Sequence, residues 1–259
     1  MRSKNVWFIE WEGREMVVKG GEDVDESEAE WTKLAKQLTS LPVPEVYGVR
    51  RDGPSTYIYF EKLPGKAIFF DFLQRPKDEQ DDLLIQLRNM IAQLNVARPA
   101  TLSGPVRVGG LGPKPLAAIL PATSTAFPST SSTAKLHKLL ESLSRGHSSR
   151  QQYKKLVKPE LHKYKRRPLV LVHGDLHAGN ILVHEGKISG IVDWERAGWY
   201  PEWVETFATL RHALSVWGAY TVNWLILRQH LGGEVVHEGN VRERLGWMFC
   251  ASDAWSAAT

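Results

Sequence analysis

The residues able to do chemistry are concentrated between Leu169 and Glu202. An apolar run, Leu169-Val170-Leu171-Val172, leads into the polar loop His173-Gly174-Asp175-Leu176-His177-Ala178-Gly179-Asn180, and Asp193 follows in Ile191-Val192-Asp193-Trp194. Phosphoryl transfer to a hydroxyl needs a base beside the nucleophile, hard oxygen ligands for magnesium, and a positive charge on the phosphates. Asp175 is suited to orient and deprotonate an acceptor, and the side-chain oxygens of Asn180 and Asp193 are ligands of the kind magnesium prefers. The short spacing keeps Asp175 and Asn180 on one loop. Ile181–His184 and Lys187–Asp193, around Glu185-Gly186, read as a hairpin that brings Asp193 back to them. Taken singly, Asp175 or Asn180 is equally well a turn residue satisfying its own backbone; the combination is what points to a site. A polar loop between buried strands is held rigidly and still reaches solvent.

The rest of the chain supplies the elements that must position this loop. Val6–Trp11 and Arg14–Lys19 are β-rich and meet at Glu12-Gly13, which predicts a hairpin ending on Lys19. A helix is expected over Glu26–Leu38, with Trp31, Leu34, Ala35 and Leu38 on one face. Leu41-Pro42-Val43-Pro44 stops it, because proline lacks an N–H and disfavours helix in the residue before it. Val46–Val49 and Thr56–Phe60 are then strands around Arg51-Asp52-Gly53-Pro54. The result is an α+β chain: a small mixed β lobe over residues 1–63, then a larger, mainly helical lobe over 64–259. The second lobe opens with a helix over Lys77–Val96, whose buried stripe is Leu83, Leu87, Met90, Ile91 and Leu94. Gly104–Pro115 and Thr123–Ala134 read as loops, and Glu202–Tyr220 as a helix.

Composition narrows the classes. The 259 residues are 42% hydrophobic and 24% charged, ordinary for a soluble enzyme, and no stretch approaches a membrane span. A lone Cys250 excludes an intramolecular disulfide and a cysteine-based zinc site, and the reducing cytosol is the expected compartment. The net charge of +4 is uneven. Eleven Lys/Arg against Glu141 and Glu160 give Thr133–Pro168 a charge of +9, which reads first as a solvated helix and loop and second as an anionic-polymer surface. The ten tryptophans are scattered, so they are expected in the core and not in a stacking ladder.

Val172–Leu182 with Gly190–Glu202 resembles the catalytic-loop and magnesium-aspartate segments of the aminoglycoside phosphotransferase–choline kinase family, especially its fungal-type branch. Val17-Val18-Lys19, Glu28-Ala29-Glu30, Leu41-Pro42-Val43-Pro44 and Phe60-Glu61-Lys62-Leu63-Pro64-Gly65 agree in order. The resemblance implies a protein-kinase-like two-lobed fold and an ATP- or GTP-dependent, magnesium-dependent transfer to a small hydroxyl-bearing acceptor. It makes Asp175 the catalytic base and Asn180 and Asp193 the magnesium ligands. Lys19 would contact the nucleotide phosphates and pair with a helix glutamate, Glu30 by its distance to the Leu-Pro-Val-Pro run, with Glu28 as the other candidate. The backbone of Glu61 and Leu63 would hold adenine. His173 would hold the loop through backbone contacts, Glu195 would be structural, and His177 would sit at the cleft rim.

The family's strand, glycine-bearing loop and second strand before the lysine strand have little counterpart here. Eighteen residues precede Lys19, and they hold one glycine, Gly13. An abbreviated nucleotide lobe is therefore expected, with nucleotide dissociation constants of about 0.1 mM or weaker, at the poor end of the usual range. A catalytically weak or inactive kinase-like nucleotide-binding protein is the alternative. A metallophosphoesterase would need further ligands, and His184, His212, His230 and His237 show no paired metal-ligand spacing.

Overall fold

The computed structural model describes residues 5–98, 108–111, 133–143, 151, 154–155, 158–163, 167–214 and 220–230. Strands β1 (Asn5–Trp11), β2 (Arg14–Gly21), β3 (Val46–Asp52) and β4 (Ser55–Glu61) form an antiparallel sheet in the order β1-β2-β4-β3. Helix α1 (Ser27–Leu38) lies between β2 and β3 in the chain. The β1–β2 turn is Glu12-Gly13, with φ of 50° and 73° at its two residues. Two positive φ values match the right-handed twist of the flanking strands, which is why a glycine occupies the second position. The register sets Val6 opposite Lys19 on one side and Ile58 opposite Lys19 on the other. Lys19 therefore sits in a central strand, at the end away from the turn.

Two hydrophobic clusters underlie this arrangement. Val24, Ala29, Val46, Ile58 and Phe60 close the inner face of the small sheet. Trp31, Ala35, Leu41 and Val43 turn the other way and join the large core with Leu83, Leu87, Ile91, Leu171, Ile191 and Trp194. Trp31 meets Trp199 edge-to-face, with ring centroids 5.8 Å apart. The Ile191 N–H also donates to the Pro42 carbonyl at 2.8 Å. The proline run that ends α1 thus docks the small lobe onto the strand leading to Asp193.

Beyond Glu61 the chain forms β5 (Lys66–Ala67), two 3₁₀ turns (Ile68–Phe70 and Phe72–Gln74) and helix α2 (Lys77–Leu94). Helices α3 (Thr133–Leu143) and α4 (Lys158–Lys163) follow, then β6 (Val170–Val172), β7 (Ile181–His184), β8 (Lys187–Ile191) and β9 (Gly198–Tyr200), then α5 (Trp203–Leu214) and α6 (Tyr220–His230). β5 extends the β7–β8 hairpin, and β6 pairs with β9. Gly65, at φ 99°, allows the linker to press against β7, since a Cβ there would lie 2.2 Å from the Val183 carbonyl oxygen. No helix among the described residues is long and apolar enough to cross a membrane.

Several expectations change. The strand expected to reach Asp193 stops at Ile191, and Asp193 takes φ 66°. β9 has no sequence signature, because the three residues Gly198-Trp199-Tyr200 before Pro201 are too few to show alternation; pairing with β6 makes it a strand. The helix expected over Glu202–Tyr220 is α5 to Leu214, α6 begins at Tyr220, and residues 215–219 lie outside the described ones. Helix α3 takes in the end of the expected Thr123–Ala134 loop. Trp194, Trp31, Trp199 and Trp203 are buried, but Trp7 and Trp11 are 42% and 63% exposed on the edge strand β1. Cys250, the rest of that loop and most of Gly104–Pro115 lie outside the described residues.

Candidate active site

Lys19, Glu28, Asn180 and Asp193 line one cavity of about 460 Å³, together with Val6, Phe8, Val17, Phe60, Leu182 and the Glu61–Leu63 segment. The lysine, oxygen donors and linker backbone expected to form the site, though separated in sequence, are thus brought to one place. Glu30 is not. It is exposed, whereas Glu28 is buried and its carboxylate lies 2.8 Å from the Lys19 ammonium. The helix partner of Lys19 is Glu28, because the helical turn that buries Ala29 and Trp31 puts Glu28 toward β2 and Glu30 toward solvent. Lys19 also meets Asp193 at 2.7 Å and Glu195 at 3.1 Å. Burial opposes its charge, but these carboxylates hold the ammonium above the ordinary lysine range. Burial pushes the Glu28 carboxyl upward, and the Lys19 ammonium 2.8 Å away opposes that shift. Glu28→Ala should cost about 1–3 kcal/mol of stability by leaving a buried ammonium short of a partner. Glu30→Ala should stay within about 0.5 kcal/mol. Equal shifts in denaturant melts would contradict this pairing.

The loop carrying Asp175 is fixed from several sides. His173 is fully buried; its Nδ1 accepts from the Asp175 N–H at 3.2 Å, so its Nε2–H donates to the Val192 carbonyl at 3.0 Å. Burial lowers its pKa, which keeps this tautomer neutral. Asn180 donates its amide Nδ2 to the Asp175 carbonyl at 3.0 Å, so its amide oxygen is the atom suited to a cation. The Val192 N–H donates to the Asn180 carbonyl at 3.0 Å, tying the loop to the approach to Asp193. A left-handed aspartate is uncommon and concentrates at functional positions; here it follows a strand that ends two residues earlier. Asn180 and Asp193 are hard oxygen donors facing one cavity, a donor set that fits magnesium.

Glu205, fully buried in the first turn of α5, accepts from the His173 N–H and, at 3.3 Å, from the Gly174 N–H. Thr209 donates to the Leu176 carbonyl at 3.2 Å, and Asn223 Oδ1 accepts from the Ala178 N–H at 3.0 Å. His212 Nε2 lies 2.9 Å from Asp175 Oδ1, with Arg196 Nε at 3.7 Å. The sequence flagged none of these roles. The one available signal was the i, i+4, i+7 spacing of Glu205, Thr209 and His212 along a mostly apolar helix. Burial raises the Asp175 pKa, but the hydrogen bond from His212 and the Arg196 charge bring it below the usual carboxylate range. It is ionised near neutral pH and presents a charged hydrogen-bond acceptor.

His177 and His212 stand beside Asp175 closely enough to suggest a cation cage. The hydrogen bonding argues otherwise. His177 Nδ1 accepts from the Gly179 N–H at 3.0 Å, so the ring proton is on Nε2 and no lone pair points at Asp175. Burial and the neighbouring His212 push the His177 pKa down to about 4, so the ring is neutral at pH 7. A metallophosphoesterase site is not formed by these groups.

Burial pushes the Glu205 carboxyl up to about 7 from an ordinary 4.5, against the two backbone N–H bonds that pull it down. The folded state then keeps a proton that the unfolded chain has released. This contribution is fully present below about pH 4.5 and is lost as pH rises toward about 7. Unfolding free energies should therefore fall over that window in the wild type relative to Glu205→Gln. Parallel pH profiles for the two proteins would contradict it.

A small antiparallel sheet with one helix, linked to a helical body that carries the His173–Asn180 loop and the following Asp193, defines a two-lobed kinase-like fold. The sequence matches the phosphotransferase enzyme family (APH) over residues 2–230, and the chain belongs to that family. No curated protein matches the sequence. Solved structures agree on the fold. A thermostable mutant of aminoglycoside phosphotransferase APH(4)-Ia, in ternary complex with AMP-PNP and hygromycin B, superposes with a TM-score of 0.60 at 15% identity, covering 100% of this chain and 92% of that one. Macrolide 2'-phosphotransferase MphH from Brachybacterium faecium gives 0.56 at 14% identity over 98% and 84%. Spectinomycin phosphotransferase APH(9)-Ia, in complex with ADP and spectinomycin, gives 0.54 at 17% identity over 98% and 77%.

Proposed function

We propose that the chain transfers the γ-phosphoryl group of magnesium-bound ATP to a hydroxyl of a small molecule, with Asp175 as base. The carrying observation is that Lys19, Asn180 and Asp193 share one cavity while Asn180 is bonded to the backbone of Asp175. Lys19 would hold the phosphates, and Asn180 and Asp193 the metal, which supplies charge neutralisation on the phosphates when bound. The acceptor oxygen forms the new bond to phosphorus, the bridging bond to the leaving diphosphate breaks, and the hydroxyl proton passes to Asp175. Val17, Phe60 and Leu182 provide an apolar slot for a purine beside Glu61 and Leu63. The Glu61 N–H already donates to the Glu45 carbonyl at 2.9 Å, so adenine contacts at Glu61 fall to its carbonyl. Relatives in this fold were captured with AMP-PNP or ADP, which favours ATP; GTP is the second nucleotide to test.

In this reading residues 1–63 form the nucleotide lobe, residues 64–259 form the catalytic and acceptor lobe, and the protein works in the cytosol. The acceptor is a small hydroxyl compound, as hygromycin B and spectinomycin are in the relatives' complexes. Low activity is the second reading, and the β1–β2 hairpin favours it. Its tight turn lies six residues from Lys19, roughly 20 Å along the strand. The cavity edge beside Lys19 carries the apolar side chains of Val6 and Phe8, which offer the phosphates no donors. Transfer of label from γ-labelled ATP to a panel of small alcohols, sugars and amino alcohols, with magnesium or with chelator, tests the proposal. A magnesium-dependent phosphorylated product is expected, and no labelled product under any condition would overturn it.

A further inference from the structure

We infer that His212 positions the Asp175 carboxylate for transfer, acting from the third contact of a helix face that grips the first half of the loop, His173–Leu176. The inference rests on the phosphotransferase reading above. Along α5, Glu205, Thr209 and His212 recur at i, i+4, i+7 and therefore face one way. Their partners are consecutive parts of the loop: the N–H groups of His173 and Gly174, the carbonyl of Leu176, and the carboxylate of Asp175. The first two contacts fix backbone. Only the third reaches the group that meets the acceptor, at 2.9 Å from Oδ1.

Backbone anchors leave the two side-chain torsions of an aspartate to be set by whatever holds its carboxylate. A ring nitrogen facing an ionised carboxylate carries the proton, so His212 donates from Nε2 and holds Oδ1. Asn223 reinforces the arrangement from α6: its Nδ2 donates to the His212 carbonyl at 3.3 Å while its Oδ1 accepts from the Ala178 N–H. The His177 ring packs on His212 with centroids 4.3 Å apart, which limits rotation of the imidazole. His212 lies outside the nucleotide cavity, so its loss should affect the transfer step and spare nucleotide binding.

Magnesium-dependent phosphate release from ATP, with water as acceptor, tests this on the full chain with His212→Leu and His212→Gln. The leucine variant should lose about 10–100-fold in kcat, the cost of a misplaced reacting group, with KM for ATP little changed. The glutamine variant should recover much of the loss, because its amide N–H reaches the same oxygen from a similar distance. In long-range nitrogen–proton spectra of ¹⁵N-histidine protein, the His212 Nε2–H signal should move on Asp175→Asn. Wild-type turnover in His212→Leu, equal losses in the leucine and glutamine variants, or a His212 signal indifferent to Asp175→Asn would each overturn the inference. Absence of turnover in the wild type with water and with every acceptor of the panel above would overturn the phosphotransferase reading instead, and the imidazole signal then decides whether the hydrogen bond exists.

Discussion

Asp175→Asn should lower phosphoryl transfer by about 10²–10⁴-fold, the usual worth of a positioned acid–base group, and leave nucleotide binding nearly intact. The substitution preserves shape and removes the proton-accepting charge. The amide oxygen can still accept from His212 Nε2, so the side chain keeps its place. Nucleotide affinity should hold because Asp175 is not among the residues lining the cavity that contains Lys19, Asn180 and Asp193. Single-turnover transfer and a nucleotide titration on the same variant separate the two effects. An unchanged rate would remove Asp175 from the chemistry.

Asp193→Ala should abolish the magnesium-dependent part of nucleotide stabilisation, which in the wild type amounts to about 2.7 kcal/mol at a ligand concentration about 100 times the dissociation constant. Three things are lost together. The metal loses a full carboxylate charge, Lys19 loses the partner at 2.7 Å, and alanine is placed at φ 66°, a conformation aspartate tolerates better. Asp193→Asn isolates the charge, since asparagine keeps the shape and accepts the left-handed backbone. Asn180→Ala should weaken the magnesium effect less, because an amide offers a dipole where Asp193 offers a charge. A magnesium-dependent melting shift that survives Asp193→Ala would place the metal elsewhere.

What the sequence revealed follows from how locally each feature is determined. Asp175, Asn180 and Asp193 fall within a short loop–hairpin unit, and the turn at Glu185-Gly186 dictates that the chain returns. That segment and the β1–β2 hairpin were legible, as was the face of α1 carrying Trp31 and Ala35. The helix partner of Lys19 was not. Glu28 and Glu30 flank the same stripe, and which one turns inward depends on how α1 sits against β2, a tertiary choice. Glu205 and His212 were missed for the same reason: their partners lie 30 residues or more away, and nothing nearby marks them. β9 and the exposed Trp11 also depend on pairing, the first on β6 and the second on an edge position.

The proposed transfer requires a nucleotide held through magnesium in the cavity that Lys19, Asn180 and Asp193 line. Calorimetric titration of ATP into the wild-type chain and into Asp193→Ala, each with magnesium and with chelator, tests it most directly. Saturable binding to the wild type is expected, with a dissociation constant of about 0.1 mM or weaker, at the poor end of the range for enzyme substrates. That binding should require magnesium and be lost in Asp193→Ala. Identical heats with and without magnesium, or in wild type and variant alike, would contradict it.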